Sequence, residues 1–172
     1  TAHELRLKHW QAQIDSGLDF ITVGDFAFYD QMADHIQLLG CEPARFEFKA
    51  EQSKLQRYFT MVRGKSTENH SCAHVHETWA LEMTKWFDTN YHYLVPEFHL
   101  GQTFSLSWRQ IIDETAEAIA AGYAVKPVIL GPLSYLWLGK EKGQAFDRFD
   151  LLQNLLPAYE QLLQALADVG AT

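Results

Sequence analysis

Two short runs constrain this chain most. Leu18-Asp19-Phe20-Ile21-Thr22-Val23 and Val125-Lys126-Pro127-Val128-Ile129-Leu130 are apolar and β-branched, and they close on Gly24 and Gly131. Runs of this length, apolar on both faces and ended by a turn residue, read as strands buried from both sides. Helical periodicity surrounds them. Residues 3–16 carry Leu7, Trp10 and Ile14 at spacings of three and four. Phe26 to Leu39 carries Tyr29, Met32, Ala33, Ile36 and Leu39, with Gly40 as the stop. Ser105 to Ala121 places Leu106, Ile111, Ile112, Ala116 and Ile119 inward, and Phe146 to Val169 reads as one long amphipathic helix.

Between these lie weaker signals. Residues 41–49 read as irregular and 50–62 as a helix. The polar stretch Arg63 to Glu77 reads as a loop, Thr78 to Trp86 as a short helix, and Asn90 to Phe98 as a strand with Pro96 near its end. The order α-β-α-(α)-β-α-β-α implies an α/β domain with parallel strands and helical crossovers. Three strands are too few for a closed (β/α)8 barrel, which needs eight and typically about 250 residues. The 172 residues therefore form either a small open α/β domain or part of a barrel, and periodicity does not separate the two.

Charge narrows the function classes. Lys+Arg 14 against Asp+Glu 22 gives a net charge of −8, the wrong sign for a general nucleic-acid or anionic-membrane binder. Only Cys41 and Cys72 are present, so a disulfide scaffold is not expected. No apolar run is long enough to span a bilayer, and no leader pattern is read in the chain. A reducing, cytoplasmic setting is expected, with no nucleic-acid and no membrane partner. The chain opens on Thr1 directly into a helical pattern and stops at Val169-Gly170-Ala171-Thr172. It reads as a piece of something longer.

Three stretches could carry chemistry. Glu82 to Phe98 interleaves polar and charged residues with aromatic ones, the mixture expected where a ring system and an anionic tail are held together. Lys85 is its one cation, able to meet a carboxylate or phosphate as a point charge, or to stand as a solvated lysine. Asp25 lies just past the first strand, where α/β folds bind ligands, and serves equally well as the N-cap of the next helix. His70, Cys72, His74 and His76 alternate along seven residues, a donor set zinc accepts, yet a single extended strand surrounds an ion poorly. No GxGxxG, P-loop, GxSxG or CxxC motif is present.

The string Glu82-Met83-Thr84-Lys85-Trp86-Phe87-Asp88-Thr89-Asn90-Tyr91-His92-Tyr93, followed by Val95-Pro96-Glu97, resembles a motif of the cobalamin-independent methionine synthases. These are 5-methyltetrahydropteroyltriglutamate–homocysteine methyltransferases. The likeness extends to Val23-Gly24-Asp25-Phe26-Ala27-Phe28-Tyr29-Asp30, to Val125 through Pro132, to Leu136-Trp137-Leu138-Gly139-Lys140 and to Phe146-Asp147, in the same order along nearly the whole chain.

The resemblance implies a fragment, residues 1–172, of the amino-terminal barrel of a two-barrel enzyme. It implies a partial (β/α)8 fold made of about strands two to four with their helices. The implied reaction moves a methyl group from 5-methyltetrahydropteroyltri-L-glutamate to homocysteine, giving methionine. The implied cofactor is zinc, which holds the homocysteine thiol as a thiolate. Its ligands are expected in a carboxyl-terminal barrel outside this sequence, with no metal ligand and no catalytic residue in this segment. The one binding residue carried over is Lys85, whose counterpart in the family contacts the polyglutamylated folate. His70 to His76 departs from the family pattern. A second reading is a stand-alone, non-catalytic folate- or anion-binding module. A partial barrel would expose sheet edges and apolar helix faces, so the isolated segment is expected to aggregate or to pair with further chain.

Overall fold

The computed structural model describes residues 1–65 and 78–171. In chain order these form α1 (Ala2–Asp15), β1 (Ile21–Val23), α2 (Gln31–Leu38), α3 (Lys54–Arg63), β2 (Met83–Lys85), β3 (His92–Leu94), β4 (Glu97–Phe98), α4 (Gln110–Ala120), β5 (Val125–Pro127), α5 (Pro132–Leu138), β6 (Lys140–Glu141) and α6 (Leu152–Asp168). Short 3-10 turns occupy Ala44–Phe46 and Arg148–Leu151. The architecture is mixed α/β.

The two runs that read as strands buried on both faces pair with each other over three residues each, while Leu18, Phe20 and Val128 of those runs are exposed. β1 and β5 are parallel, with Ile21 opposite Val125 and Val23 opposite Pro127. The ladder continues as the Val128 N–H donates to the Val23 carbonyl at 2.8 Å. Parallel neighbours need a crossover, and α4 leads directly into β5. Trp10 of α1 and Ala118 of α4 pack with Ile21, Val23 and Val125 in one cluster. Burying side chains of this size is worth about 1.5–3 kcal/mol each.

Gly24 ends β1 at φ +101°, and a Cβ there would stand 2.6 Å from both Ile111 Cδ1 and the Val128 carbonyl oxygen. Only glycine lets α4 and the end of β5 close in at this point.

The segment between β1 and α4 is an excursion from this βαβ unit, rooted at the carboxyl end of β1. It holds α2, α3 and an antiparallel hairpin of β2 and β3, in which Lys85 lies opposite His92. The helix expected over Thr78 to Trp86 is corrected by the structure, because Met83–Lys85 pairs with His92–Leu94 and that partner is invisible to local periodicity.

The strand expected over Asn90–Phe98 is split at Pro96. Up to Val95, whose N–H donates to the Glu82 carbonyl, the chain pairs with the β2 side of the hairpin. Proline has no N–H to continue that ladder, and β4 turns instead to pair in parallel with β6. The third strand thus does not line up beside β1 and β5. The described residues form three two-stranded sheets.

Helix ends also shift. The helix expected from Phe26 begins only at Gln31, because the Asp30 carboxylate accepts from the Met32 and Ala33 N–H groups and fixes the N-cap there. Asp25 is therefore not the cap, and Tyr29, expected inward, is exposed. The helix expected from Ser105 begins at Gln110, since Ser105 and Ser107 donate their N–H groups to the carbonyls of Leu39 and Leu38. α5 and β6 have no counterpart in the sequence reading. The buried positions of α6, Leu155, Tyr159, Leu162 and Leu166, follow its heptad-like pattern. Leu156 and Leu163 on the same helix, with Leu133 and Trp137 of α5, leave an apolar face open to solvent.

Candidate functional site

Lys85 ends β2 and is exposed. Its register partner His92 is exposed as well, and directly opposed residues of an antiparallel pair share a face. The His92 Nδ1 lies 3.0 Å from the Asn90 carbonyl, so this nitrogen carries a proton and donates it there. The sequence singled out Lys85 alone. His92 stands beside it because of the hairpin register.

The turn between them is built from its own backbone. The Trp86 N–H donates to the Tyr91 carbonyl at 2.7 Å, and Thr89 donates through both N–H and hydroxyl to the Trp86 carbonyl. Phe87 sits at φ +50°, a conformation a bulky side chain rarely adopts, and it is 57% exposed. Trp86 packs edge-on against Phe87, Tyr91 and Tyr93 at centroid distances of 5.6, 6.1 and 5.6 Å. The tip therefore offers exposed aromatic surface next to a lysine.

Asp30 fixes this hairpin to α2. Its Oδ2 accepts from the N–H groups of Met32 (3.0 Å), Ala33 (3.1 Å) and Leu94 (3.2 Å). Its Oδ1 accepts from the Tyr91 hydroxyl at 2.8 Å. The Tyr58 hydroxyl of α3 accepts from the N–H groups of Tyr29 and Asp30 and donates to the Asp30 carbonyl. Asp30 is only 2% exposed. Burial pushes its carboxyl above the usual carboxylate range even against these hydrogen bonds.

A second polar cluster lies between α2, α4 and the carboxyl ends of β1 and β5. Gly24, Gln31, Asp34, His35, Gln110 and Glu114 border a cavity of about 40 Å³. Burial, with Asp30 and Glu114 nearby, pushes Asp34 up to about 8. Burial also lifts Glu114 to about 7 against the pull of Arg6. Asp34 Oδ1 and Gln110 Oε1 are shielded from solvent without hydrogen-bond partners among the described residues. His35 is held neutral by burial, with Nδ1 donating to the Gln31 carbonyl and Nε2 accepting from the Leu130 N–H. This imidazole staples α2 to the chain leaving β5. None of Gln31, Asp34, His35, Gln110 and Glu114 stood out in the sequence, since each occupies a helix position where a solvated polar residue is the ordinary case.

Asp25 is exposed just past the carboxyl end of β1 and does not line the cavity, but its charge lies close enough to help raise the Glu114 carboxyl. His70, Cys72, His74 and His76 lie outside the described residues. Among the described residues no group of three or more His, Cys, Asp and Glu is placed to hold a metal ion. Cys41 is buried and free, and burial pushes its thiol up to about 12, the opposite of what a metal-binding thiolate requires. The described residues do not fit a zinc site. No helix among the described residues is long and apolar enough to cross a membrane.

Comparison with known proteins agrees with the hairpin motif. The family model described as the N-terminal domain of cobalamin-independent synthase matches residues 1–172. The chain is 52% identical over 170 residues to a 5-methyltetrahydropteroyltriglutamate–homocysteine methyltransferase of Sodalis glossinidius, covering 99% of this chain and 22% of that protein. It is 50% identical over 167 residues to the enzyme of the same name from Serratia proteamaculans, covering 97% and 21%. To that of Photorhabdus laumondii it is 49% identical over 170 residues, covering 99% and 22%. The chain thus spans about a fifth of the length of these relatives. With the family model matching from end to end, the chain belongs to the cobalamin-independent synthase family, as its N-terminal domain type.

Proposed function

We propose that this chain is part of a methyltransferase that moves the methyl group of a 5-methyltetrahydropteroyltriglutamate to the sulfur of homocysteine. The N5–CH3 bond breaks, the S–CH3 bond of methionine forms, and the proton given up by the thiol is balanced by the proton that N5 takes up in the tetrahydropteroyl product. What carries the reading is identity of about half the residues, along nearly the whole chain, to three relatives that bear this activity in their names.

Within that reading the segment contributes scaffold and part of the folate polyglutamate site. Lys85 is the tail contact. It is an exposed ammonium with His92 on the same hairpin face, and it enters no ion pair among the described residues. A tail rich in carboxylates approaching a chain of net charge −8 needs such a local cation. Zinc, which would make the thiol a thiolate, belongs in this reading to residues outside the segment, and no step is assigned to it here. The β1-α4-β5 unit is read as one βαβ element of a (β/α)8 barrel, and a cytoplasmic location is part of the same proposal.

The test compares the full-length protein carrying this chain with its Lys85→Ala variant, using triglutamate and monoglutamate methyl donors. Loss of a charge-assisted contact at an exposed site should raise KM for the triglutamate donor several-fold, by about 1 kcal/mol, and leave the monoglutamate donor nearly unchanged. Added salt should shrink the difference. Equal effects on both donors would remove Lys85 from the tail site.

A further inference from the structure

We infer that Asp30 and Tyr91 act as positioning residues for the Lys85 hairpin, holding the lysine where the folate tail meets it. The inference rests on the reading of Lys85 as a tail contact and adds to it the residues that set its place.

The hairpin is three residue pairs long and has no third strand among the described residues. A two-stranded ribbon of that size has little stability of its own, so its position depends on what ties it down. Several ties lie at its base. The Leu81 N–H donates to the Met61 carbonyl, the Tyr93 hydroxyl to the Leu138 carbonyl, and Glu82 pairs with Lys140. The Leu94 N–H bond to Asp30 also lies at the end of the ladder away from Lys85.

Near the tip the tie is the Tyr91 hydroxyl on Asp30 Oδ1. Tyr91 immediately precedes His92, the residue opposite Lys85, and its carbonyl receives the N–H of Trp86, the residue after Lys85. One buried carboxylate therefore holds both ends of β3. Asp30 is itself locked, its carboxylate by the α2 N-cap and its backbone by the Tyr58 hydroxyl, so the hairpin is tied to a group fixed on both α2 and α3.

Tyr91→Phe deletes only the tip bond and keeps the aromatic ring. Asp30→Asn keeps one oxygen for the three N–H groups but puts an amide donor where Oδ1 accepts from Tyr91, so the tip bond survives only with its direction reversed and without the charge. In the full-length protein, Tyr91→Phe is expected to raise KM for the triglutamate donor about twofold with kcat and the monoglutamate KM unchanged, and Asp30→Asn to raise it by no more than Lys85→Ala does. In a Lys85→Ala background, Tyr91→Phe should add nothing to the triglutamate KM, because the lysine it positions is gone.

If Lys85→Ala lowers the discrimination between donors while Tyr91→Phe leaves it at the wild-type value, the positioning role is overturned and the Lys85 reading stands. If Lys85→Ala does not change the discrimination, both fall. A Tyr91→Phe effect of equal size on both donors, or undiminished in the Lys85→Ala background, marks a merely structural bond and overturns the inference.

Discussion

Replacing Asp34 by asparagine should make the folded chain more stable at neutral and alkaline pH and flatten the pH dependence of its stability. In an unfolded chain Asp34 titrates near 3.8, whereas in the fold it holds its proton to about 8. Between these values the folded state binds a proton the unfolded state has released, so stability is greatest below the unfolded value. It falls as pH rises, until the folded group ionises as well. The slope is about 1.4 kcal/mol per pH unit for one such group. Between about pH 5 and pH 8 Asp34 alone is therefore worth up to about 4 kcal/mol, a large share of a domain's stability. Glu114, shifted from 4.5 to about 7, adds a second fall of the same sign below pH 7.

The amide introduced by Asp34→Asn would remain neutral at every pH. It also keeps a donor where the protonated carboxyl has one, bordering the cavity that holds the unpaired Gln110 Oε1. Urea unfolding followed by tryptophan fluorescence, at half-unit steps from about pH 5 to 8.5, reads the difference. The Asp34→Asn slope should be shallower by about 1 kcal/mol per pH unit, and the two curves should converge near about pH 4. Parallel curves for wild type and variant would refute the argument. So would a variant that is less stable in the alkaline half of that range.

Three further outcomes follow from the packing. Gly24→Ala forces a side chain into a left-handed backbone and within 2.6 Å of the Val128 carbonyl, and should lower the unfolding free energy by about 2–4 kcal/mol. Glu97→Gln leaves the Arg45 guanidinium, now bonded to it at 2.9 and 3.0 Å, without its counter-charge, and should cost about 2 kcal/mol by the same measurement. Cys41 should resist alkylation by iodoacetamide at about pH 8 in the native chain and react on unfolding, as read by peptide mass; burial and a thiol pushed up to about 12 both oppose thiolate formation.

The excursion between β1 and α4 changes how the motif-bearing hairpin is understood. Lys85 is not on a central strand. It stands on a ribbon that is secured to the body of the fold by buried polar contacts, among them a carboxylate seven residues past β1. A placement that depends on hydrogen bonds to one aspartate is more sensitive to single substitutions than one built into a sheet, and this sensitivity makes the hairpin testable by gentle variants such as Tyr91→Phe.

Some of this was legible from residue order alone. β1, β5, α1 and the buried stripe of α6 follow from apolar runs and helical spacing, because such patterns record which face of an element meets the core. The family was legible too, from the Glu82–Tyr93 string. Other features were decided only in three dimensions. β2 exists because His92–Leu94 lies alongside it, and β4 leaves the hairpin because β6, more than forty residues later in the chain, offers a partner. The same applies to charge: Asp34, His35 and Glu114 read as ordinary helix polar residues until folding removes water from them. Local pattern records the preference of a backbone segment for one face. Strand partners, and the solvent left around a carboxylate, are set by residues distant in sequence, and those become neighbours only when the chain has closed.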